Sequence, residues 1–220
     1  MLPLFDQIRI MSQLTDSVIV GFSGGKDSVV TLDLCVKYFK HVFPYFMYIV
    51  KGLDFQERII KYYENKYDLE ILRLPHFMLS EYYRYGSFRQ YDLDVKIVKP
   101  SEAHDYIRYL SGYTWIAGGE RISDSIFRRS MIREHSSIHW GAYRLYPVAF
   151  WNKSHIIAYT KQFNLPIGLE YKVLGCSFSG LYYKELVKIR EEWPEDFEKI
   201  KSNFPLIEAE MKWGELHGNS

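Results

Sequence analysis

Cysteine is nearly missing from this chain: Cys35 and Cys176 are the only two among 220 residues. Two thiols exclude a disulfide framework. They also exclude a cysteine-only zinc or iron-sulfur site supplied by one chain, which takes three or four thiolates, so no iron-sulfur cluster is expected. Net charge is missing too, since 28 Lys and Arg against 27 Asp and Glu leave +1, and no global field marks a nucleic-acid or membrane-surface binder. No apolar run approaches the roughly 18 residues of a spanning helix. The opening MLPLFDQIRI sets Asp6 and Arg9 inside what would be the apolar centre of a secretory signal. The expectation is a soluble cytoplasmic protein without a membrane partner. Among the histidines no HxH or HExxH spacing occurs, and the pair His135 and His139 reads as ordinary polar residues rather than a metal site.

What the chain has in excess is aromatic: 19 Tyr, 14 Phe and 5 Trp, or 17%. Seven of the tyrosines (62, 63, 67, 82, 83, 85 and 91) fall between residues 62 and 91.

Periodicity sets the organisation. Leu2, Phe5, Ile8, Met11 and Leu14 suit one face of a helix over 2–14. The continuous apolar run 17–22 suits a parallel strand covered on both faces. A helical pattern follows from Ser28 to Lys40, then a strand at 43–50, a helix near 54–67 and a strand at 69–74 stopped by Pro75. Residues 76–100 are irregular, dense in aromatic and basic side chains. A helix from Ser101, capped by that serine, ends near Gly112; strands at 113–119 and 143–150 enclose a short helix, and Asn152 caps a helix over 151–164. The remainder is helical around a break at GLEYKVLGCSFSG. Strands alternating with helices at this spacing predict an α/β fold: a three-layer sandwich with a mainly parallel five-stranded sheet and a helical C-terminal part.

The strongest local signal is strand, then Ser23-Gly24-Gly25-Lys26-Asp27-Ser28, then helix. Adjacent glycines turn the backbone tightly and leave amide hydrogens unobstructed where a helix's first amides are unpaired and its dipole favours negative charge. Polyphosphate suits that position. A Walker A loop is excluded, because it demands glycine at Val20 and Ser or Thr at Asp27. Asp27 beside a phosphate site makes sense with a bridging divalent cation. Further on, Gly119-Glu120-Arg121-Ile122-Ser123-Asp124-Ser125-Ile126-Phe127-Arg128 would place Arg121 and Arg128, with Arg129, at a strand exit and helix turn where guanidinium forks can meet phosphate or sulfate oxygens. The competing reading is a solvated basic face pairing with Glu120, Asp124 and Glu134.

The hexapeptide resembles the SGGxDS signature of the PP-loop ATP pyrophosphatase superfamily, whose fold is HUP, or adenine nucleotide alpha hydrolase-like. The 119–128 stretch is similar to the G-x-R-x-x-[ED]-S-x-x-R segment of its phosphoadenosine phosphosulfate (PAPS) reductase-like branch. Tyr146-Pro147-Val148-Ala149-Phe150-Trp151, Leu165-Pro166 and Gly175-Cys176 match later segments in the same order. The resemblance spans roughly 17–180, which suggests a nucleotide-binding domain over 1–180 and a helical extension over 181–220. It implies an adenine nucleotide, ATP or a PAPS-like molecule, held with Mg²⁺. Ser23, Gly24, Gly25, Lys26, Asp27 and Ser28 would cradle phosphate, and Asp27 would stand near the metal. Backbone at Gly21, Phe22 and Val50 would read adenine, with Gly119 at the nucleotide, and Lys26, Asp27, Arg121 and Arg128 would be the catalytic set.

The chain departs from thiol-type PAPS reductases, which carry a C-terminal ECGLH segment where this sequence reads GELHGNS, and from iron-sulfur relatives, where Cys176-Ser177-Phe178-Ser179 is one cysteine short. The expected chemistry is therefore adenylylation of an unknown acceptor with loss of pyrophosphate. The alternatives are a nucleotide-binding subunit without catalysis, or sulfur transfer to nucleic acid involving Cys176. The stretch 84–91 could stack bases, but a lid or homodimer contact is the preferred reading. Cys35, between Leu34 and Val36, is expected in the core.

Overall fold

The structure is a computed structural model that describes residues 5–135, 137–178 and 180–217. Leu2, at the start of the first expected helix, and Ser179 lie outside the described residues, as do the side chains of His135 and His217. In chain order the elements are α1 (Asp6–Leu14), β1 (Ser17–Gly21), α2 (Lys26–Tyr38), β2 (His41–Tyr48), α3 (Asp54–Tyr67) and β3 (Leu72–Pro75). Then come α4 (Met78–Tyr85), α5 (Pro100–Ser111), β4 (Ile116–Ala117), α6 (Ile126–His135), β5 (Ile138–His139), a 3-10 turn (Trp140–Ala142) and β6 (Arg144–Leu145). The chain closes with α7 (Lys153–Gln162), α8 (Leu169–Leu174), α9 (Tyr183–Glu192), α10 (Pro194–Asn203) and α11 (Ile207–His217).

This is an α/β fold whose mostly parallel sheet is flanked by helices. Among the described residues the sheet has six strands, in the order β3-β2-β1-β4-β6-β5, not the expected five. The additional strand, β5, is two residues long and pairs antiparallel with β6, Ile138 opposite Leu145 and His139 opposite Arg144. Two residues carry no periodicity, and the 3-10 turn between the partners keeps the hairpin below the reach of a pattern argument. β1 pairs in parallel with β2 and with β4, which sets it inside the sheet, and its three central residues Val18, Ile19 and Val20 are wholly buried. That double-sided burial explains the unbroken apolar run.

The chain forms two compact units. The first comprises residues through Phe46, Ile59–Arg73 and Ile107–Ile167; the second comprises Met47–Arg58, Leu74–Tyr106 and the residues from Gly168 onward. In the first, Ile8 and Met11 of α1, β1, and Val29, Val30, Leu32, Leu34 and Cys35 of α2 are buried. The second has its own core of Phe55, Leu186, Ile189, Phe197, Ile200, Phe204 and Ile207, among others.

Three local expectations change. The cap of α5 is Lys99, whose N–H donates to Glu102 Oε2 at 2.8 Å, so Pro100 opens the helix and Ser101 lies inside it. The irregular stretch 76–100 contains a helix, α4, ended by Gly86 at φ +74°. The expected break at GLEYKVLGCSFSG contains α8, ended by Gly175 at φ +83°. Asn152 does cap α7: its side chain accepts from the His155 N–H at 2.8 Å, and His155 Nδ1 accepts from the Asn152 N–H at 3.4 Å.

Candidate functional site

The glycine loop leaves β1 at Gly21 and enters α2 at Lys26, entirely within the first unit. Phe22 N–H donates to the Tyr45 carbonyl at 2.9 Å, which carries the β1–β2 pairing one residue past the strand. Gly24 takes φ +72°, a left-handed conformation that favours glycine. Ser28 closes the loop from below: its Oγ accepts from the Ser23 N–H at 3.1 Å, pairs with Ser23 Oγ at 3.1 Å and donates to the Gly25 carbonyl at 2.9 Å. Gly25 stands at the N-cap and no side chain caps the helix. The first-turn amides of α2 are thus offered to a ligand, with the positive end of the helix behind them.

Gly119 lies against this turn. A Cβ there would stand 3.0 Å from Asp27 C and Ser28 N, backbone atoms that cannot swing away. Glycine at 119 is therefore what lets the exit of β4 lie against the start of α2. Two residues on, Arg121 is 6% exposed, so this side chain is not solvated, although it does meet Asp124, a partner that the competing reading named. Its Nε lies 2.9 Å from Asp27 Oδ1, and its Nη2 donates to Asp124 Oδ1 at 2.7 Å. Asp124 Oδ2 accepts from the Arg121 N–H at 2.9 Å and from Arg128 Nη1 at 3.0 Å. Arg128 is 47% exposed in its side chain, and Arg129 is exposed. Lys26 Nζ pairs with Asp27 Oδ2.

Ser23 to Ser28, Gly119, Arg121 and Arg128 thus converge through hydrogen bonds, ion pairs or backbone contact. Gly21 is also at the turn, packed near the Tyr45 hydroxyl. Val50 is buried in the core of the second unit. Three polar atoms of the cluster are buried without a hydrogen bond: Asp27 Oδ1, Arg121 Nε and Arg121 Nη1. Asp27 and Arg121 therefore attract each other as charges without hydrogen-bond alignment.

Sequence reasoning missed a second buried pair. Arg144 Nη2 donates to Glu120 Oε1 at 3.0 Å, over Gly118, where any side chain would collide with Glu120. Burial opposes the Arg144 charge, yet the Glu120 carboxylate and the phenols of Tyr45 and Tyr146 hold its pKa above the ordinary arginine value. Glu120 lay within the arginine motif, but its partner follows only from sheet register, which sets Arg144 beside Ile116. Asp33 was also missed. Within α2 it accepts from Tyr67 Oη at 2.6 Å and Tyr159 Oη at 2.6 Å and pairs with Lys37 at 2.7 Å.

Cys176 lies in the second unit and is exposed. Its thiol donates to Glu185 Oε1 at 3.6 Å, and burial, the Glu185 charge and that hydrogen bond push its pKa up, away from a thiolate.

Residues 17–177 match the phosphoadenosine phosphosulfate reductase domain. The chain belongs to that family. No curated protein gives a significant match. Among solved structures the family's fold recurs at low identity. A phosphoadenylyl-sulfate (PAPS) reductase from Candida auris in a phosphate complex is 15% identical, with TM-score 0.54 over 79% of this chain and 85% of that one. An NH3-dependent NAD synthetase from Campylobacter jejuni with nitrate is 17% identical, with TM-score 0.52 over 99% and 94%. The U34-tRNA thiolase NcsA from Methanococcus maripaludis with its [4Fe-4S] cluster is 14% identical, with TM-score 0.50 over 93% and 79%. These likenesses show that this PAPS reductase-like chain shares its fold with all three. Among the described residues no helix is long and apolar enough to cross a membrane.

Proposed function

We propose that the chain binds an adenine nucleotide at the glycine loop and transfers its adenylyl group to an acceptor. The observation that carries this reading is the buried Arg121 guanidinium beside the uncapped start of α2, its Nη1 without a hydrogen bond while Nε pairs with Asp27 and Nη2 with Asp124. Buried polar atoms in folded proteins are paired, and an unpaired cationic one calls for a ligand that completes it. Three cations, Lys26, Arg121 and Arg128, stand here against two carboxylates, Asp27 and Asp124, so the remaining partner is anionic.

In this reading the α2 amides and Lys26 hold the leaving phosphates, and Arg121 and Arg128 orient the phosphate tail or the acceptor's anionic group. The acceptor nucleophile bonds to the α-phosphorus, the bond from that phosphorus to the bridging oxygen breaks, and pyrophosphate leaves with the electron pair. The Asp27 carboxylate, held between Lys26 and Arg121 at the start of α2, is the protein group that would ligate Mg²⁺ beside phosphates and water. Bound there, Mg²⁺ would neutralise charge growing on the leaving group. Sulfur transfer through Cys176 is disfavoured, because partial burial and then the Glu185 carboxylate push its thiol pKa up.

ATP labelled at the α-phosphate, incubated with the protein and Mg²⁺, is expected to give AMP or an adenylylated acceptor together with pyrophosphate. Intact ATP with no nucleotide-dependent rise in melting temperature would overturn the proposal, and a melting shift without turnover would reduce it to a binding module.

A further inference from the structure

The irregular stretch after β3 encloses a cleft that the nucleotide reading does not use. All its lining residues belong to the second unit, and its volume is about 550 Å³, inside the roughly 300–1,000 Å³ range of small-molecule sites. Tyr48, His76, Phe77, Tyr83, Val98 and Tyr106 carry most of the wall's character.

Nothing regular supports the far wall, since residues 93–99 are in neither helix nor strand. An apolar stretch of that kind would ordinarily collapse to cover its own surface. Side-chain bonds hold it instead. Ser80 Oγ accepts from the Val98 N–H at 2.9 Å while donating to the Phe77 carbonyl at 2.6 Å. Arg84 Nη1 donates to the carbonyls of Leu93 and Val95 at 2.6 and 2.8 Å. Glu102 then fixes Lys99 through the α5 cap. Three side chains, two on α4 and one on α5, thus pin this stretch at fixed points, and the wall is preorganised.

Its chemistry is neutral. The charged residues of the lining, Lys96 and Glu102, pair with each other at 3.1 Å, and Lys96 is 83% exposed. Burial pushes the His76 imidazole toward its neutral form. Its Nδ1 accepts from the Met78 N–H at 3.2 Å, which puts the remaining proton on Nε2 as a donor. A charged guest would lose its hydration with no countercharge to meet it, whereas four aromatic rings, Tyr48, Phe77, Tyr83 and Tyr106, suit a flat apolar one.

We propose that this cleft is a binding site for a neutral aromatic small molecule. The site stands on the geometry of residues 47–106 alone and does not depend on nucleotide binding.

Two fluorescent probes that differ by one sulfonate make the test: N-phenyl-1-naphthylamine, which is neutral, and 8-anilino-1-naphthalenesulfonate, titrated against the full chain. The neutral probe is expected to saturate at one site per chain and to bind at least about tenfold more tightly than the anion. Ala103→Trp, which fills the cleft from α5, is expected to weaken the neutral probe by about tenfold or more with the circular dichroism spectrum unchanged. Should that variant not fold, Val95→Trp in the wall makes the same test without touching a helix. Non-saturable binding, equal affinity for the sulfonate, or undiminished binding in the filled variants would overturn the site. So would a dimer in sedimentation that dissociates as the probe binds, since the cleft would then receive a second copy of the chain.

Discussion

The glycine-loop end of the first unit and the cleft-bearing second unit treat buried ionisable groups in opposite ways. Around the loop, buried and half-buried charges face one another: Arg121 lies between Asp27 and Asp124, and Arg144 stays charged against Glu120. In the second unit, apart from Asp196 capping α3 and pairing Lys199, burial drives titratable groups toward neutrality: His76 downward, Glu170 upward. One region maintains charge out of water and so suits a polyanion, while the other removes charge and suits a neutral guest. Aromatic content follows the same division. The glycine loop and the arginine motif hold no tyrosine, and Phe127 is well exposed.

The contrast breaks most readily at Arg121. Arg121→Ala removes the one cation shared by Asp27 and Asp124, leaving them only Lys26 and Arg128, and is expected to cost about 3–5 kcal/mol in urea unfolding and to abolish any ATP-induced melting shift. Arg121→Lys should recover less than half of that, because one ammonium cannot reach both partners as a guanidinium fork does. A loss below about 1 kcal/mol would mean that the charges around the loop are solvated after all.

Next in size is Glu170, 1% exposed, with Oε2 accepting no hydrogen bond and its carboxyl pushed up to about 7 by burial, only partly offset by its own backbone N–H. A carboxyl that holds its proton more tightly when folded stabilises fully below its unfolded value of 4.5 and loses that contribution as pH rises to about 7. Stability should fall by about 3 kcal/mol across that window and level off above it. Glu170→Gln is expected to match the parent near pH 4.5 and exceed it at pH 8, in urea unfolding at each pH. A flat profile in the parent would place a charge partner beside Glu170.

Gly119→Ala is smaller, about 1–3 kcal/mol, since the exit of β4 must retreat from the start of α2 by a few tenths of an ångström. Its sharper readout is a weakened ATP melting shift. Smallest is Glu185→Gln, which removes the acceptor and the charge that add to burial in raising the Cys176 thiol pKa. Alkylation by iodoacetamide at pH 7.5 should quicken severalfold, and an unchanged rate would show that Glu185 does not govern this thiol.

Much of the first region was legible in the sequence because its chemistry is contiguous. The apolar run of β1, the paired glycines and the spacing from Gly119 to Arg128 each occupy one short stretch, and burial, turn geometry and helix start act on neighbours in the chain. What escaped depends on register or on distant partners. Arg144 meets Glu120 only through the β4–β6 pairing, and Asp33, a lone carboxylate in VVTLDLCV, declares itself only once Tyr67 and Tyr159 reach it. Tyrosines 62–91, read as a surface around the loop, divide: Tyr63 is buried and donates to the Pro166 carbonyl at 2.7 Å, Tyr82 and Tyr83 pack on Phe204, and Tyr85 and Tyr91 are exposed. α4 was missed although Leu79, Tyr82 and Tyr83 share one helical face, because it is only eight residues long and Leu79 is its one buried position.

Asp33 has a kinetic meaning as well. It ties the middle of α2 to the phenols of α3 and α7, so the helix whose first turn faces the glycine loop is clamped before any ligand arrives. A nucleotide meeting a helix that need not move should associate in a single bimolecular phase in stopped-flow, with an observed rate that climbs linearly with concentration and shows no plateau. Asp33→Asn would loosen the clamp, and a curve that saturates in that variant alone would register the motion the carboxylate suppresses.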